Sequence, residues 1–413
     1  MTSISTRDRE RLRQRAQLQR DYAHAPENET ILKQWQAQAE GRREDPPVRL
    51  LFSNFEHEVI TPRLECEGDL ARGIESALLR TLAGRELFGD DTPISPTFDI
   101  SWRTHVQPFG ISPKISRPDI ANPQGYHIDP VISDLAAEID KLRGGSFGVD
   151  REATRRRREL IEGLFGDILP VRMVMDSLPG NLTSPLVRLM GMEAYYIAMF
   201  DCPDAVHEAM EMATTIYEQY YDFLEQEELL LPTTGLSPLA QESFAFTDEL
   251  PADHVSRTTQ CWGYLESQET TAVSAETFGE FVFPYQQRLV DRFGLLSYGC
   301  CERVDAIWPD YLSTWPTMRK LSVSPFNDER AIGDYLRGSR VVYYSKPRAE
   351  FVTGDGPLKD EAITTYFKGV CEAASGCLFE IAQREVGTIF GDVERGRHYV
   401  RLAKEAVDAY WRP

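Results

Sequence analysis

Short apolar runs alternate with amphipathic stretches in the second half of the chain, and this alternation constrains the fold more than any other feature. The apolar runs occupy residues 229–231, 261–265, 294–298, 321–323, 341–344 and 378–381. Stretches with helical periodicity occupy residues 275–293, 328–336, 360–374 and 393–411. One strand and one helix in about every 30–40 residues is typical of a parallel sheet covered by helices. The pattern therefore predicts an α/β protein.

Polar side chains that can act as metal ligands, acids, bases or nucleophiles follow several of these apolar runs. They are Glu266, Cys300, Cys301, Ser324, Lys346 and Glu380. In an α/β barrel the carboxyl ends of the strands form the active-site face. This placement favours a (β/α)8 TIM barrel over an open, doubly wound sheet. The sequence also contains neither Gly-x-Gly-x-x-Gly nor the phosphate-loop motif, so the usual dinucleotide and nucleotide fingerprints are missing.

The first 170 residues have a different character. Residues 1–45 are rich in Arg, Gln and Glu and predict a polar helical arm, which Pro46 and Pro47 end. Residues 48–52 and 168–176 read as buried strands, whereas residues 90–130 are rich in Pro, Gly, Ser and Asp and predict a loop-rich insertion. We therefore predict an arm over 1–45 and a single barrel domain over 46–413.

Composition excludes several functional classes. The 413 residues carry a formal net charge of −20, and such an acidic surface repels nucleic acid. No apolar run approaches the ~20 residues that cross a bilayer, and the N-terminus has no apolar signal core. The seven cysteines show no disulfide spacing. These features predict a cytoplasmic protein with free thiols that acts on a small molecule.

The most specific local feature is the segment 295–302, which reads LLSYGCCE. A glycine, two thiols and a carboxylate come where the apolar strand should end. Thiolates are soft ligands that suit zinc, so Cys300 and Cys301 are candidate metal ligands. Neighbouring residues of a regular strand point to opposite faces, and a loop beginning at Gly299 would remove that restriction. The alternatives are two buried apolar thiols or a cysteine nucleophile.

Further candidates lie after the neighbouring strands. Glu266 and Gln268 share one face of an extended segment, although a helix cap and a surface pair would explain them equally well. Glu380 lies inside an apolar run, where a carboxylate needs a metal or an ion pair, for which Arg384 is nearest in sequence. Lys346 follows a strand, with simple surface exposure as the competing interpretation.

Six segments carry a resemblance to a known family. They are 268–270 (QET), 278–286 (FGEFVFPYQ), 292–295 (RFGL), 298–302 (YGCCE), 322–326 (SVSPF) and 345–347 (SKP). Together they resemble the uroporphyrinogen decarboxylase-like superfamily (URO-D domain), near its cobamide-dependent methyltransferases. The resemblance covers about residues 170–411 and implies a (β/α)8 barrel. The arginine-rich motif of true uroporphyrinogen decarboxylases is not found near the first strand, so porphyrinogen decarboxylation is not expected.

The resemblance also implies a metal site. Methyltransferases of this superfamily hold zinc with a His-x-Cys pair at one strand end and a further ligand near the last strand. Here Tyr298 and Cys300 occupy the His-x-Cys positions, Cys301 is a compensating ligand, and Glu380 is the candidate near the last strand. The implied metal ligands are thus Cys300, Cys301 and Glu380.

The leading hypothesis is a zinc-dependent methyltransferase that moves a methyl group from a small methylated substrate to a corrinoid carried by a partner protein. Glu266, Gln268, Lys346 and Tyr298 are its candidate catalytic residues. Zinc would polarise the heteroatom that loses the methyl group. One alternative is a metal-independent decarboxylase or lyase in which Lys346, Arg348 or Arg384 binds a carboxylate and Glu266 delivers a proton. Another is a non-catalytic binding protein on the same barrel. The charged arm predicts a homodimer.

Overall fold

Seven parallel strands form the central sheet of the computed structural model, which describes residues 4–116 and 127–413. The strands are β1 (Val48–Leu50), β2 (Leu178–Pro179), β3 (Trp262–Leu265), β4 (Leu295–Tyr298), β5 (Met318–Val323), β6 (Val342–Ser345) and β7 (Leu378–Gln383). Their order is β1-β7-β6-β5-β4-β3-β2, and every pairing is parallel. From β3 to β7, strands that follow each other in the chain lie side by side in the sheet.

Helices connect the strands and cover the sheet. The helices of seven or more residues are α1 (Thr6–Ala23), α2 (Pro26–Ala39), α3 (Asp69–Ala83), α4 (Arg151–Phe165), α5 (Thr183–Met190), α6 (Met192–Asp201), α7 (Pro203–Gln226), α8 (Ala275–Phe281), α9 (Phe283–Val290), α10 (Glu329–Leu336), α11 (Asp360–Ala373) and α12 (Val393–Tyr410). The α/β class and the parallel sheet predicted from the sequence are therefore confirmed.

Hydrogen bonding does not close the sheet within the described residues. A separate parallel pair, Phe98–Ser101 with Val171–Val174, lines a cavity together with Arg49 of β1, and no described ladder joins this pair to β1 or β2. What the described part of the chain shows is a seven-stranded parallel sheet. Closure into an eight-stranded barrel stays a prediction.

Three local predictions are wrong. Residues 229–231 form no strand; an antiparallel hairpin of Pro238–Leu239 and Ser243–Phe244 follows them instead. The apolar spacing of residues 186–200 predicts one continuous helix, but the chain breaks at Gly191, whose positive φ of +87° ends α5. The helix expected over 275–293 breaks between α8 and α9, where Pro284 cannot donate an intrahelical hydrogen bond.

The N-terminal arm forms two helices that pack against the rest of the same chain. Leu12 and Ala16 of α1 are fully buried in a small apolar cluster with α3 and α4. The Arg13 guanidinium forms two hydrogen bonds of 2.7 Å with the Asp167 carboxylate. The apolar side chains of α1 are thus buried within the same chain, and the homodimer stays a prediction. No helix in the described ranges is both long and apolar enough to span a membrane.

Candidate functional site

The thiol pair lies at the carboxyl end of β4, where the backbone leaves the strand. Gly299 has a φ of +99°, and a Cβ at this position would approach the Ser322 Cβ to 3.2 Å, so a side chain would be strained there. The turn places the Sγ atoms of Cys300 and Cys301 3.7 Å apart, and both side chains are half-buried. A loop that begins at Gly299, rather than a regular strand, therefore brings both thiols to one side.

Glu302 fixes the geometry of this loop. One carboxylate oxygen accepts a 2.6 Å hydrogen bond from the Cys300 amide, and the other accepts a 2.9 Å bond from the Ser267 amide after β3. Complete burial raises the pKa of Glu302, while these amide donors and the nearby Lys346 ammonium act in the opposite direction. Glu302 thus connects the loops after two neighbouring strands.

A buried ammonium group lies beside the thiols. Lys346 is only 4 % exposed, and its Nζ donates to the Cys300 main-chain oxygen at 2.9 Å and to the Gln241 Oε1 at 2.6 Å. Arg384 donates to the same Gln241 oxygen. Burial lowers the pKa of Lys346 to about 8. Surface exposure, the competing interpretation for this lysine, is therefore wrong.

The two thiols differ in acidity. Either thiol can donate in the Cys300–Cys301 sulfur contact; with Cys300 as the donor, this hydrogen bond, helped by the nearby Lys346 ammonium, lowers the pKa of Cys301 to about 7 against the effect of burial. The same hydrogen bond, together with burial, raises the pKa of Cys300. Cys301 is therefore the more acidic thiol of the pair, and a thiolate is the form that acts as a nucleophile.

Glu266 contributes a carboxyl group without a cation partner in the described part of the chain. It is 6 % exposed, and its Oε2 accepts a 2.8 Å hydrogen bond from the Gln268 amide. Burial, followed by the negative charges of Glu269 and Glu302, raises the pKa of Glu266 well above its usual value. The Gln268 side chain is exposed, so its described contribution to Glu266 comes from its backbone.

We call Glu266, Cys300, Cys301, Glu302 and Lys346 the strand-end cluster. Their side chains follow β3, β4 and β6, as expected for residues at one edge of a parallel sheet. Buried carboxyls, an acidic thiol and a depressed ammonium pKa in one place are typical of functional sites.

Two of the predicted site residues lie elsewhere. Tyr298 is fully buried and directs its hydroxyl to Ser267 Oγ, 2.9 Å away, while its ring packs against Trp315. Glu380 forms a buried ion pair with Lys320, with Oε–Nζ distances of 2.7 and 2.9 Å. Lys320, not Arg384, is therefore the ion-pair partner of Glu380.

The donor set of the strand-end cluster does not fit a zinc site. A sulfur separation of 3.7 Å suits two corners of a zinc tetrahedron, whose edge is about 3.8 Å for Zn–S bonds of about 2.3 Å. Among the described residues the other two candidate carboxylates have different partners: Glu302 accepts hydrogen bonds from two backbone amides, and Glu380 pairs with Lys320. Across residues 4–116 and 127–413, no group of three or more His, Cys, Asp or Glu side chains has an arrangement that could hold a metal ion.

A cavity of 350 Å³ is linked to the strand-end cluster by hydrogen bonds. Its lining residues are Ser101, Trp102, Thr104, His105, Val106, Val174, Met175, Asp176, Ser177, Leu178, Pro179, Tyr220, Leu224, Leu229, Ala240 and Tyr264. The Tyr264 hydroxyl accepts a 2.7 Å hydrogen bond from the Gln241 amide, whose oxygen in turn binds Lys346. Two hydrogen bonds therefore connect the cavity wall to the ammonium beside the thiols. We call this space the aromatic cavity.

The fold is shared with a known enzyme. A solved methyltransferase from Methanosarcina mazei superposes with a TM-score of 0.51, covering 91 % of this chain and 98 % of that one. Sequence identity over the match is 14 %, so the likeness establishes the fold alone. No protein-family profile matches this chain, and neither does any curated protein sequence.

Sequence reasoning missed the residue that joins the cluster to the cavity. Gln241 lies at the tip of the 238–244 hairpin, and both it and Glu242 have left-handed φ angles, +65° and +59°. Such conformations are costly for residues other than glycine and are found where the surrounding structure requires them. The sequence predicts a strand over residues 229–231, before this hairpin, and carries no signal that would mark residue 241 as functional.

Proposed function

We propose that this protein is a methyltransferase that acts on a small methylated substrate bound in the aromatic cavity. The observation that carries the proposal is the hydrogen-bonded link from the cavity wall at Tyr264 through Gln241 to Lys346 of the strand-end cluster, on a fold that a known methyltransferase shares. A volume of 350 Å³ is near the lower end of ligand pockets, about 300–1,000 Å³, and suits a small molecule. The full proposal includes closure of the sheet into a (β/α)8 barrel.

The acceptor we propose is a reduced corrinoid on a partner protein, a role taken from the sequence resemblance. Methyl transfer breaks a bond between a heteroatom and a methyl carbon, and the electron pair of that bond stays on the heteroatom. The pair for the new bond comes from the acceptor. A neutral leaving group departs readily, whereas an alkoxide or an amide anion needs a proton or a Lewis acid.

The cluster offers proton donors in place of zinc. Burial raises the pKa of Glu266 well above its usual value, and Lys346 carries a proton up to about pH 8. Either group provides general acid catalysis for a neutral methyl donor once the donor reaches it. A substrate that already carries a positive charge on the heteroatom needs no such donor.

The experiment incubates the purified protein with reduced cobalamin and separate panels of methylated ammonium, sulfonium, ether and thioether compounds. Formation of methylcobalamin, followed by its absorbance and by mass spectrometry, is the expected result. With the ether and thioether panels, Lys346→Met should lower the rate at least severalfold because it removes a proton donor, whereas Cys377→Ser, which changes a buried thiol outside the cluster, should not. Absence of methylcobalamin with every panel, with free cobalamin and with corrinoid proteins, would contradict the proposal.

A second function is favoured by one observation. Lys346 and Arg384 donate to the same Gln241 oxygen, so two cations converge on a point where a substrate carboxylate would bind. With Glu266 as proton donor, this arrangement suits a metal-independent decarboxylase or lyase. Release of carbon dioxide or an alkene from a panel of small carboxylic acids, lost in Arg384→Met, would support it over methyl transfer.

A further inference from the structure

The aromatic cavity has the chemistry of a cation-binding site. Trp102, Tyr220 and Tyr264 contribute three aromatic rings to its wall, and no lysine or arginine is among its lining residues in the described part of the chain. Aromatic faces carry negative potential and attract cations, and quaternary ammonium groups are bound in this way in many proteins.

Asp176 supplies the matching negative charge. It lines the aromatic cavity, and its Oδ1 accepts hydrogen bonds from the amide and hydroxyl of Ser177, at 2.6 and 3.0 Å. Its Oδ2 accepts none from any described group, and no described cation lies within ion-pair distance of it. Asp176 is exposed and also lines the neighbouring cavity that contains Arg49 and the Phe98–Ser101 strand, and partial desolvation raises its pKa. Ser177 therefore fixes the carboxylate through Oδ1, and Oδ2 is available to a ligand.

One of these rings, that of Trp102, already forms a cation–π contact with Arg151. The Arg151 guanidinium carbon lies 5.5 Å from the centre of the Trp102 ring, within the range of a cation–π contact. Arg151 does not line the cavity. In the described part of the chain, therefore, no lysine or arginine lines the aromatic cavity.

We infer that the aromatic cavity binds a quaternary ammonium or sulfonium group, which is the methyl donor of the proposed reaction. This inference rests on the proposed function for the donor's role, but the binding itself does not depend on it. The ligand's positive charge pairs with Asp176 while its methyl groups contact the rings of Trp102, Tyr220 and Tyr264.

A cationic donor already has an activated leaving group. When a methyl group leaves a quaternary nitrogen or a sulfonium sulfur, the electron pair of the broken bond neutralises the positive charge. The product is a neutral tertiary amine or thioether, and no proton or Lewis acid is required. The acceptor supplies the electron pair of the new bond, so atoms and charge balance without another reactant.

A pair of isosteric probes tests the inference directly. Choline and 3,3-dimethyl-1-butanol have nearly the same shape, but only choline is charged. We expect calorimetry on the full chain to show choline and tetramethylammonium binding, with the neutral alcohol about tenfold weaker or more. Asp176→Asn should weaken choline by about tenfold while leaving the alcohol unchanged. The matched control, Asp201→Asn at the exposed end of α6, should change neither.

Trp102→Leu provides a second variant that removes a ring without removing charge. It should weaken choline severalfold more than it weakens the neutral alcohol, and melting temperatures would verify that each variant is folded. Equal binding of both probes, absence of binding by both cations, or unchanged choline affinity in Asp176→Asn would overturn the inference.

Activity separates this inference from the proposed function. Methylcobalamin formed from ethers or thioethers but never from ammonium or sulfonium compounds would support methyl transfer and overturn the cationic donor. Choline binding that depends on Asp176, with no methyl transfer from any compound, would support the site and contradict the proposed function.

Discussion

The Lys346 ammonium lies 2.9 Å from the main-chain oxygen of Cys300 and places a positive charge beside two thiols. This positive charge stabilises a thiolate at Cys301. It would also repel a metal cation bound in the same loop. The hydrogen bond from Cys300 and this charge together lower the pKa of Cys301, whereas burial lowers the pKa of Lys346 against the opposite effect of the thiols.

Alkylation of Cys301 should therefore report its acidity. We expect iodoacetamide labelling of Cys301, followed by peptide mass spectrometry, to rise with an inflection near pH 7. Lys346→Met removes the stabilising charge and should move the inflection to higher pH. Lys368→Met, which alters an exposed lysine on α11, is the control. An unchanged inflection in Lys346→Met would show that the hydrogen bond from Cys300 alone controls this pKa.

Metal content should be low. Because the cluster offers two thiols and no third ligand, we expect the untagged, purified protein to contain far less than one zinc per chain by plasma mass spectrometry. Treatment with a chelator should then leave the melting temperature unchanged. Near one zinc per chain, lost in Cys300→Ser or Cys301→Ser, would contradict this and restore zinc as the Lewis acid.

The Lys320–Glu380 ion pair should matter for stability. Both groups are almost inaccessible to water, and removal of one partner leaves a buried charge unpaired. We expect Lys320→Met or Glu380→Gln to lower the free energy of unfolding by about 3–5 kcal/mol, measured by urea denaturation. Lys368→Met breaks an exposed helical pair and should cost less than about 1 kcal/mol. A small effect for the buried pair would indicate that water reaches it.

Glu266 should make stability depend on pH. Its pKa is raised in the folded protein, so its contribution is fully present below the unfolded value near 4.5 and is lost as the pH rises through the folded value. Glu266→Gln removes this dependence because the amide stays neutral. The stability of the variant relative to wild type should therefore grow as the pH rises above 4.5.

The exposed Glu193→Gln on α6 provides the control, with no such growth expected. Parallel stability curves for wild type and Glu266→Gln between pH 5 and pH 9 would indicate that Glu266 ionises as freely in the folded chain as in the unfolded one.

The sequence by itself determined the parallel α/β architecture. Apolar runs and amphipathic stretches fix which segments can pair as strands and which can cover them, because each must bury its apolar face. The same alternation placed Glu266, Cys300 and Lys346 at one edge of the sheet. It did so because the carboxyl ends of parallel strands lie on the same side.

Only the tertiary structure decided how these side chains are used. Three contacts join residues that are distant in sequence. The Tyr298 hydroxyl lies against Ser267, Glu380 pairs with Lys320, and Gln241 accepts a hydrogen bond from Lys346. Spacing along the chain carries no record of such contacts. The cavity beside Asp176 is likewise formed by segments between residues 101 and 264, so its aromatic and acidic character emerges only when they pack together.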